Sequence, residues 1–540
     1  MAWFGKHWGR WRTYVLNANS DDRRQAAGVS VRTIRGKSDH VVVVGAGLSG
    51  LATALHLAGR GRAVTVVERE EWPGGRAGRI DVRGYRVDTG PTVLTMSDLI
   101  DEAFAAVGEN RADHLELLPI EPAYRAQFAD GSAINVHSDA SEMATAVEQF
   151  ADREQANGYL KLRDWLSRLY QTEFDGFIGA NFDSPLDLLN PQLARLTALG
   201  GFRGWERMVR RYITDPRLIR VFTFQSLYAG VAPREALAAY AVIAYMDTIS
   251  GVFFPRGGVR ALPDALAAAA VGAGVRFHYG STVTAAERQG DRVVAIQTDR
   301  GERIPCDAVV LTTELPTTYE LLGYRPRRPI ALRASPSAMV AHLGCRRRDR
   351  HANGGPAHHT ILFGDAWDQT FTEIIHDGTV MKDPSLLVTC PTVTDPTLAP
   401  EGRDLIYLLA PTPNLEAGRI DWDSYGPEYA AAMTNIAAER LAPELHDDVD
   451  MLDLVTPADW ARQGMLAGSP FALSHTFAQT GPFRPANLIR GLDNAVLAGS
   501  STVPGVGVPT TLISGRLAAD RITGTGRRAT THIDMKRTPC

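Results

Sequence analysis

The sequence predicts a composite of α/β and α+β structure, in which a parallel βαβ lobe is interrupted by a lobe of mixed sheet and helices. Three observations support this prediction. Four valines at 41–44 run into a glycine turn and an apolar helix-like segment. A second strand, glycine-rich loop and helix pattern occupies 494–519, while the chain between the two carries long stretches with helical spacing and short strand-like runs.

The first glycine turn has the spacing Gly-x-Gly-x-x-Gly at Gly45, Gly47 and Gly50. At this spacing the first glycine permits a sharp turn, the second leaves room for a pyrophosphate, and the third lets the helix pack closely on the strand. The next strand, at 63–67, ends in Glu68, where a ribose diol needs an acceptor. The pattern therefore predicts a Rossmann-like dinucleotide-binding unit.

Hydropathy offers a different interpretation of the same stretch. Residues 41–59 are long and apolar enough to resemble a membrane span. The β-branched start and the three spaced glycines instead favour a buried parallel strand followed by a packed helix.

Two further segments follow Glu68, and by themselves they could be ordinary surface turns. Residues 71–78 read EWPGGRAG, and residues 85–92 read YRVDTGPT. The order of glycine fingerprint, glutamate, GGRAG and DTGPT closely resembles the N-terminal signature of the bacterial phytoene desaturase family of flavoproteins. The resemblance implies FAD rather than NAD as the cofactor, with the glutamate on the adenosine ribose and the GGR loop near the flavin and its phosphates.

The C-terminal loop, 500–509, opens the last helix, and a plain Gly/Pro loop is the simpler interpretation. The resemblance instead directs the helix N-terminus at the flavin, where its N–H groups can stabilise negative charge on the reduced ring. Val503 stands where many family members carry a histidine. Over residues 39 to 525, the resemblance implies FAD contacts at Gly45, Ala46, Gly47, Ser49, Gly50, Glu68, Arg69, Gly74, Gly75, Arg76, Gly90, Pro91, Thr92, Val283, Gly499, Ser500, Gly507, Val508 and Pro509.

Composition excludes several classes of protein. The chain has 540 residues, 44% of them hydrophobic, which is ample for large cores, and a net charge of −4 gives no basic field for nucleic acid. The four cysteines and the histidines show no metal-ligand spacing, and adjacent strand residues such as His358 and His359 should point to opposite faces. No metal site is predicted, and scattered cysteines suit a cytosolic compartment.

The predicted domains divide the chain in the following way. The FAD-binding domain comprises 39–97, 251–312 and 483–525; the substrate domain, with membrane-facing helices, comprises 98–250 and 313–482; a basic-aromatic extension covers 1–38 and a disordered tail 526–540. The extension, rich in tryptophan and arginine, is either a disordered addition or an interfacial anchor.

Within the substrate domain, helical spacing appears at 98–104, 159–177 and 186–199. A short hairpin is predicted among these helices at 128–133. Strands are predicted at 339–343, 386–390 and 405–410, which suggests a sheet beneath the helices.

Asp164 and Arg168 are the candidate catalytic pair. The family's proposed acid–base Asp-x-x-Arg pattern matches only in part, because Ser167 occupies the arginine position. Residues four apart on a helix also pair on the surface, so the alternative is a solvated local ion pair.

The resemblance implies hydride transfer to the flavin from a phytoene-like linear carotenoid, with proton loss to a base or water. The implied partners are this substrate, the membrane surface and a quinone or oxygen as electron acceptor, with the protein at the inner face of the cell membrane. Two alternatives stay open: another flavoenzyme of the same architecture, such as a carotenoid ketolase or amine oxidase, and a non-catalytic prenyl-lipid-binding module.

Overall fold

The computed structural model describes residues 31–524, except for 327, 329–330, 348–356, 442 and 447. Most of the predicted basic-aromatic extension and the whole predicted tail therefore lie outside the described residues.

Strands and α-helices are numbered in chain order. The strands are β1 (His40–Val44), β2 (Ala63–Val67), β3 (Arg79–Val82), β4 (Tyr85–Asp88), β5 (Leu94–Thr95), β6 (Leu117–Pro119), β7 (Tyr124–Gln127), β8 (Ala133–Val136), β9 (Val252–Pro255), β10 (Arg276–His278), β11 (Val283–Gln289), β12 (Arg292–Thr298), β13 (Arg303–Pro305), β14 (Ala308–Leu311), β15 (Ser337–Arg346), β16 (His359–Leu362), β17 (Leu386–Thr389), β18 (Arg403–Thr412), β19 (Val449–Val455) and β20 (Ala495–Leu497). The α-helices are α1 (Leu48–Ala58), α2 (Ser97–Ala105), α3 (Ala140–Phe150), α4 (Arg153–Glu173), α5 (Pro191–Ala198), α6 (Trp205–Val209), α7 (Pro216–Val221), α8 (Val242–Thr248), α9 (Ala261–Gly272), α10 (Leu315–Leu321), α11 (Trp367–Thr372), α12 (Trp422–Arg440), α13 (Pro457–Arg462) and α14 (Val508–Thr523).

A five-stranded parallel sheet organises the first lobe, in the order β10-β2-β1-β14-β20. Its central strand β1 is the valine run, and Val43 pairs with Val66 of β2 and with Val310 of β14. Both faces of this strand are buried, which explains why it is continuously apolar rather than alternating. Residues 41–59 are thus a strand and a helix, as the glycines predict.

A seven-stranded sheet organises the second lobe, in the order β19-β15-β18-β17-β16-β7-β8. The predicted strands at 339–343, 386–390 and 405–410 correspond to β15, β17 and β18. The hairpin predicted at 128–133 is present, formed by β7 and β8 between α2 and α3 in the chain. It extends this sheet through parallel pairing of β7 with β16.

The helices of the second lobe follow the predicted apolar spacing with one interruption. The segment at 186–199 is divided into a 3-10 turn, Pro185–Leu188, and helix α5. Asn190 caps α5 through its side chain and Pro191 occupies the first turn, a combination that starts a new helix there. Helix α4 is 21 residues long and continues into a π-helical turn, Phe174–Ile178.

Two carboxylates anchor the loop 256–260 on which the second lobe returns to the first. The side chain of Asp88 accepts hydrogen bonds from the backbone N–H groups of Val259 (2.7 Å) and Arg260 (3.2 Å). The Asp395 carboxylate accepts from Gly257 N–H at 2.7 Å. These contacts fix the segment after β4 and the start of α9 beside the carboxyl edge of the parallel sheet.

Candidate active site

A cavity of about 1210 Å³ runs from the glycine turn of the parallel sheet to the helices of the second lobe. Polar loops line the end beside the sheet. Apolar side chains dominate the other end, including Phe177, Phe224, Leu227, Met246 and Phe363. One continuous cavity therefore joins a polar cradle to an apolar chamber.

The glycine turn shapes the polar end. Gly45 has φ of +102°, and a Cβ there would lie 2.3 Å from Thr312 Oγ1, so only glycine fits without displacement. A Cβ on Gly47 would make an ordinary van der Waals contact with Gly75 Cα at 3.9 Å, so this position is less crowded than Gly45. Gly47 precedes α1, and no side chain of the described residues caps this helix. The N–H groups at the helix start are therefore free to bind a phosphate.

Glu68 stands at the carboxyl end of β2, beside the glycine turn. Its carboxylate accepts hydrogen bonds from Ala46 N–H at 2.6 Å and from Glu70 N–H at 3.0 Å, and its side chain lines the cavity. These two bonds hold the carboxylate at the position where the sequence predicts a ribose contact.

Arg76 joins three segments that line the cavity. Its guanidinium forms a close ion pair with Glu314 and donates to Ser500 Oγ at 3.4 Å. Glu314 also accepts from Ser501 Oγ at 3.3 Å. The GGR loop, the segment that follows β14 and the C-terminal loop are thereby tied together around the cavity.

The C-terminal loop ends at a second helix start. Gly507 precedes α14, no described side chain caps that helix, and Gly507, Val508 and Pro509 all line the cavity. The loop is supported from behind by Arg484, which is 2% exposed and donates to Thr502 O at 2.9 Å and Ser500 O at 2.6 Å. Burial lowers the pKa of Arg484 to about 10, so the group stays charged at neutral pH.

The structure brings together nearly all of the predicted cofactor contacts. Every one of them lines the cavity except Ala46 and Gly50. The Ala46 N–H is used by Glu68, and a Cβ on Gly50 would lie 2.0 Å from Gly45 O, so Gly50 serves close packing of α1 on the turn.

The candidate catalytic pair, Asp164 and Arg168, lies outside the cavity, which corrects its assignment as the acid–base pair. Asp164 and Arg168 form an ion pair at 2.9 Å on the surface of α4, with side chains 67% and 56% exposed. Neither lines the cavity. A residue spacing of four places both side chains on one helix face, and the apolar face of α4 is the one turned inward, so the pair faces solvent.

The adjacent histidines have separate partners. His358 Nδ1 lies 2.7 Å from Thr394 Oγ1, while His359 Nε2 lies 3.1 Å from Thr92 Oγ1 and His359 lines the cavity. Burial lowers the pKa of His358 to about 3 and that of His359 to about 4. Both imidazoles are therefore neutral at physiological pH.

Sequence reasoning missed four residues of this region, namely Glu314, His359, Arg484 and the carboxyl-bearing Asp247. Glu314 comes shortly after β14, and ligands of open α/β sheets bind at the carboxyl ends of strands, so its position offered a usable signal. For His359, Arg484 and Asp247 the contacts are made across the fold, and no local pattern indicates them.

The cradle fits a dinucleotide with a flavin. Two helix starts without side-chain caps supply N–H donors for anionic groups, Glu68 supplies an acceptor, and Gly47 lines the cavity without a Cβ to occupy it. When bound, the flavin accepts hydride. Residues of this chain would hold its phosphates at the start of α1 and its ring system near Arg76 and the start of α14.

Comparisons with known proteins agree with this geometry. Residues 48–523 match the family described as flavin containing amine oxidoreductase. Phytoene dehydrogenase of Streptomyces griseus is 58% identical over 91% of this chain and 96% of its own. The zeta-carotene-forming phytoene desaturase of Myxococcus xanthus is 37% identical over 89% and 93%. A putrescine oxidase variant shares the fold, with a TM-score of 0.60 and 14% identity over 89% of this chain and 97% of its own.

Fold and site thus define a flavoprotein oxidoreductase with FAD as its cofactor. Within that class, the chain belongs to the flavin containing amine oxidoreductase family and, inside it, to the phytoene desaturases. The α/β composite fold, the FAD cofactor and the family resemblance are confirmed.

Proposed function

We propose that the protein desaturates phytoene or a closely related linear carotenoid, with hydride passing to FAD. One observation carries the proposal: the dinucleotide cradle opens directly into a chamber with apolar walls. A linear isoprenoid has no polar handle, so burial of its surface, worth about 25 cal/mol per Å², must supply its affinity. The relatives from Streptomyces griseus and Myxococcus xanthus, named for activity on phytoene, support this substrate class.

Product analysis in cells that accumulate phytoene tests the proposal. Expression of the chain should convert phytoene into carotenoids with longer conjugated systems, visible as new absorption bands after extraction. Unchanged phytoene, in cells that contain the FAD-loaded protein, would contradict it.

The chain division proposed from the sequence is supported by the two largest sheets, although β6 of the proposed substrate domain pairs with β9 of the proposed FAD-binding domain. Strands β1, β2, β10, β14 and β20 come from the segments assigned to FAD binding, and β7, β8 and β15 to β19 from those assigned to the substrate. We therefore keep 39–97, 251–312 and 483–525 as the FAD-binding domain, and 98–250 and 313–482 as the substrate domain.

We further propose that the substrate enters from a membrane surface at the inner face of the cell membrane. Among the described residues, none of the helices is both long and apolar enough for a bilayer crossing. Five exposed hydrophobic residues are called the apolar rim: Leu186, Leu189, Phe202, Phe477 and Phe483. The turn that carries Phe483 contacts the turn that carries Leu186. Phe202, Phe477 and Phe483 also line the cavity.

The chemistry of the apolar rim fits a lipid surface. Leu189 is 73% exposed and Phe477 is 60% exposed, which is costly for a surface that only meets water. Exposed Arg195 and Arg203 adjoin the rim in the chain and complement anionic headgroups. A substrate dissolved in the bilayer would pass from the rim into the cavity without crossing water.

Replacing Leu189 and Phe477 together with aspartate should weaken binding to anionic phosphatidylglycerol vesicles by at least about 10-fold, because each buried apolar side chain contributes about 1.5–3 kcal/mol. Vesicle flotation measures this effect. Val271→Asp is the matched control, since Val271 is 59% exposed on α9 and does not line the cavity. Equal flotation of the double variant and the control would show that the rim is not the docking surface. Membrane integration of the protein that resists carbonate extraction would contradict peripheral attachment.

Asp164→Asn and Arg168→Ala should leave phytoene turnover near the wild-type rate. An exposed helix pair at this spacing contributes about 0.3–0.5 kcal/mol to stability and does not touch the cavity. Turnover of the two purified variants checks this expectation, and a loss beyond 10-fold in either would restore the pair as acid–base residues.

We propose that the reduced flavin passes its electrons to a quinone or to oxygen, which completes the cycle.

The alternative of amine oxidation is less well supported. The side chains that line the cavity, within the described part of the chain, include no lysine of the kind expected beside the flavin of an amine oxidase.

A further inference from the structure

Four carboxyl groups line the cavity away from the predicted nucleotide contacts. Asp453 lies 3.3 Å from His342 Nδ1 and Asp459 pairs with Arg462, which leaves Glu173 and Asp247 as the candidates. Neither was a candidate from the sequence. Helix α8, which carries Asp247, also contributes the apolar lining residues Val242, Ile243 and Met246. A carboxyl group in an apolar chamber requires a physical explanation, because its desolvation is costly.

Asp247 is held by one amide. Gln225 Nε2 donates to Asp247 Oδ2 at 3.3 Å, and the same nitrogen donates to Val221 O at 3.1 Å. Gln225 is fully buried, so its amide is fixed by the surrounding fold. Among the residues that the structure describes, no basic side chain forms an ion pair with Asp247. The carboxyl is oriented but not neutralised by a cation.

We propose that Asp247 is the proton acceptor for the carotenoid in the desaturation step. The inference rests on the proposed function. Because Asp164 and Arg168 face solvent, the proton lost from carbon passes to another group of the cavity or to water, and Asp247 lies in the cavity wall.

The step balances in atoms and electrons. The hydrogen of one C–H bond of the substrate leaves with the bonding electron pair as hydride. The oxidised flavin accepts this hydride and is the two-electron oxidant. The neighbouring C–H bond gives its proton to the Asp247 carboxylate and leaves its electron pair in the new C=C bond. The carboxylic acid then returns its proton to water before the next turnover.

The electrostatic setting supports this role. Burial raises the pKa of Asp247 to about 6, and the hydrogen bond from Gln225 opposes the rise. The titratable groups facing it, Tyr124 of β7 and Tyr228 of the 3-10 turn Phe224–Ala229, have pKa values raised well above 10 by burial and stay neutral. Asp247 is therefore ionised at neutral pH and close to the pKa that favours proton transfer.

Glu173 differs from Asp247 in its hydrogen bonding and in the direction in which burial drives its protonation. Its Oε1 is buried and has no hydrogen-bond partner among the described residues, and burial raises its pKa well above 4.5. An ionised Glu173 would lack the kind of hydrogen bond that Asp247 receives from Gln225, and burial favours its protonated form, which cannot accept a proton. Of the two carboxyls, Asp247 is the one suited to the role.

The test compares FAD-loaded wild type with Asp247→Asn, Asp247→Glu and the surface control Asp164→Asn. The rate of flavin bleaching is followed anaerobically with phytoene in liposomes between pH 5 and 8.5. We expect Asp247→Asn to slow bleaching at least about 100-fold, with FAD content and bound phytoene unchanged, and Asp247→Glu to recover part of the rate. The wild-type rate should rise with pH through about 6, because the base must be ionised.

A second readout needs no turnover. Infrared difference spectra of the wild type should show protonated carboxyl bands that disappear on raising the pH through about 6. Asp247→Asn should lose the band of Asp247 and keep that of Asp88, whose pKa burial also raises to about 6. Normal bleaching in Asp247→Asn, or a wild-type rate independent of pH, overturns the proton-acceptor role alone. If Asp247→Asn loses FAD, the pH profile of the wild type and the bleaching rate of Asp247→Glu decide whether Asp247 accepts the proton. Absence of bleaching in the wild type overturns the proposed function and the inference with it.

Discussion

Replacing Glu68 with alanine should lower FAD affinity by about 10-fold to 150-fold. The carboxylate lies at the end of β2 and accepts from Ala46 N–H at 2.6 Å, directly beside the glycine turn. Loss of a charge-assisted hydrogen bond to a ribose hydroxyl costs about 1.5–3 kcal/mol, which corresponds to this range of affinity. Titration of the apoprotein with FAD, followed by quenching of flavin fluorescence, measures the change.

Glu71→Ala is the matched control for this experiment. Glu71 is close in sequence, but its side chain is 69% exposed and does not line the cavity. Its removal should leave FAD affinity within about two-fold of the wild type. Equal affinities of the Glu68→Ala and Glu71→Ala proteins would remove Glu68 from the cofactor site.

Replacing Arg484 with lysine should release FAD and destabilise the fold by about 2–4 kcal/mol, because the guanidinium donates to four backbone carbonyls, those of Leu473, Gln479, Ser500 and Thr502. A lysine carries three donors on one atom and cannot reach this spread of acceptors, so buried carbonyls lose their partners at about 1–3 kcal/mol each. Urea unfolding and the flavin content of the purified variant measure the two effects.

Arg490→Lys provides the comparison, because Arg490 lies in the same segment and is exposed. The exchange there should change neither flavin content nor stability. Full flavin retention by Arg484→Lys would show that the C-terminal loop keeps its shape without the guanidinium.

The cofactor cradle was predictable because its signals are local. Gly45, Gly47 and Gly50 act within one turn, and Glu68 follows the next strand, so spacing alone indicates their roles. The C-terminal loop was predictable for the same reason, since a strand, a glycine-rich loop and a helix follow each other directly in the chain. The strands of both patterns belong to one parallel sheet, in which β14 lies between β1 and β20.

The chamber was not predictable in the same way. Asp247 and Gln225 are 22 residues apart and meet only because α8 packs near the 3-10 turn Phe224–Ala229. Asp164 illustrates the opposite error, since a sequence pattern suggested chemistry where the fold provides an exposed helix face. Burial and long-range contact decide which carboxyl groups are perturbed, and neither is encoded in residue spacing.

Anaerobic mixing of the FAD-loaded protein with phytoene in liposomes tests the central claim most directly. We expect bleaching of the oxidised flavin band, with one new double bond formed per flavin reduced, and no bleaching with a diamine such as putrescine. Bleaching by the amine with phytoene left intact would contradict the assignment of a carotenoid as the substrate.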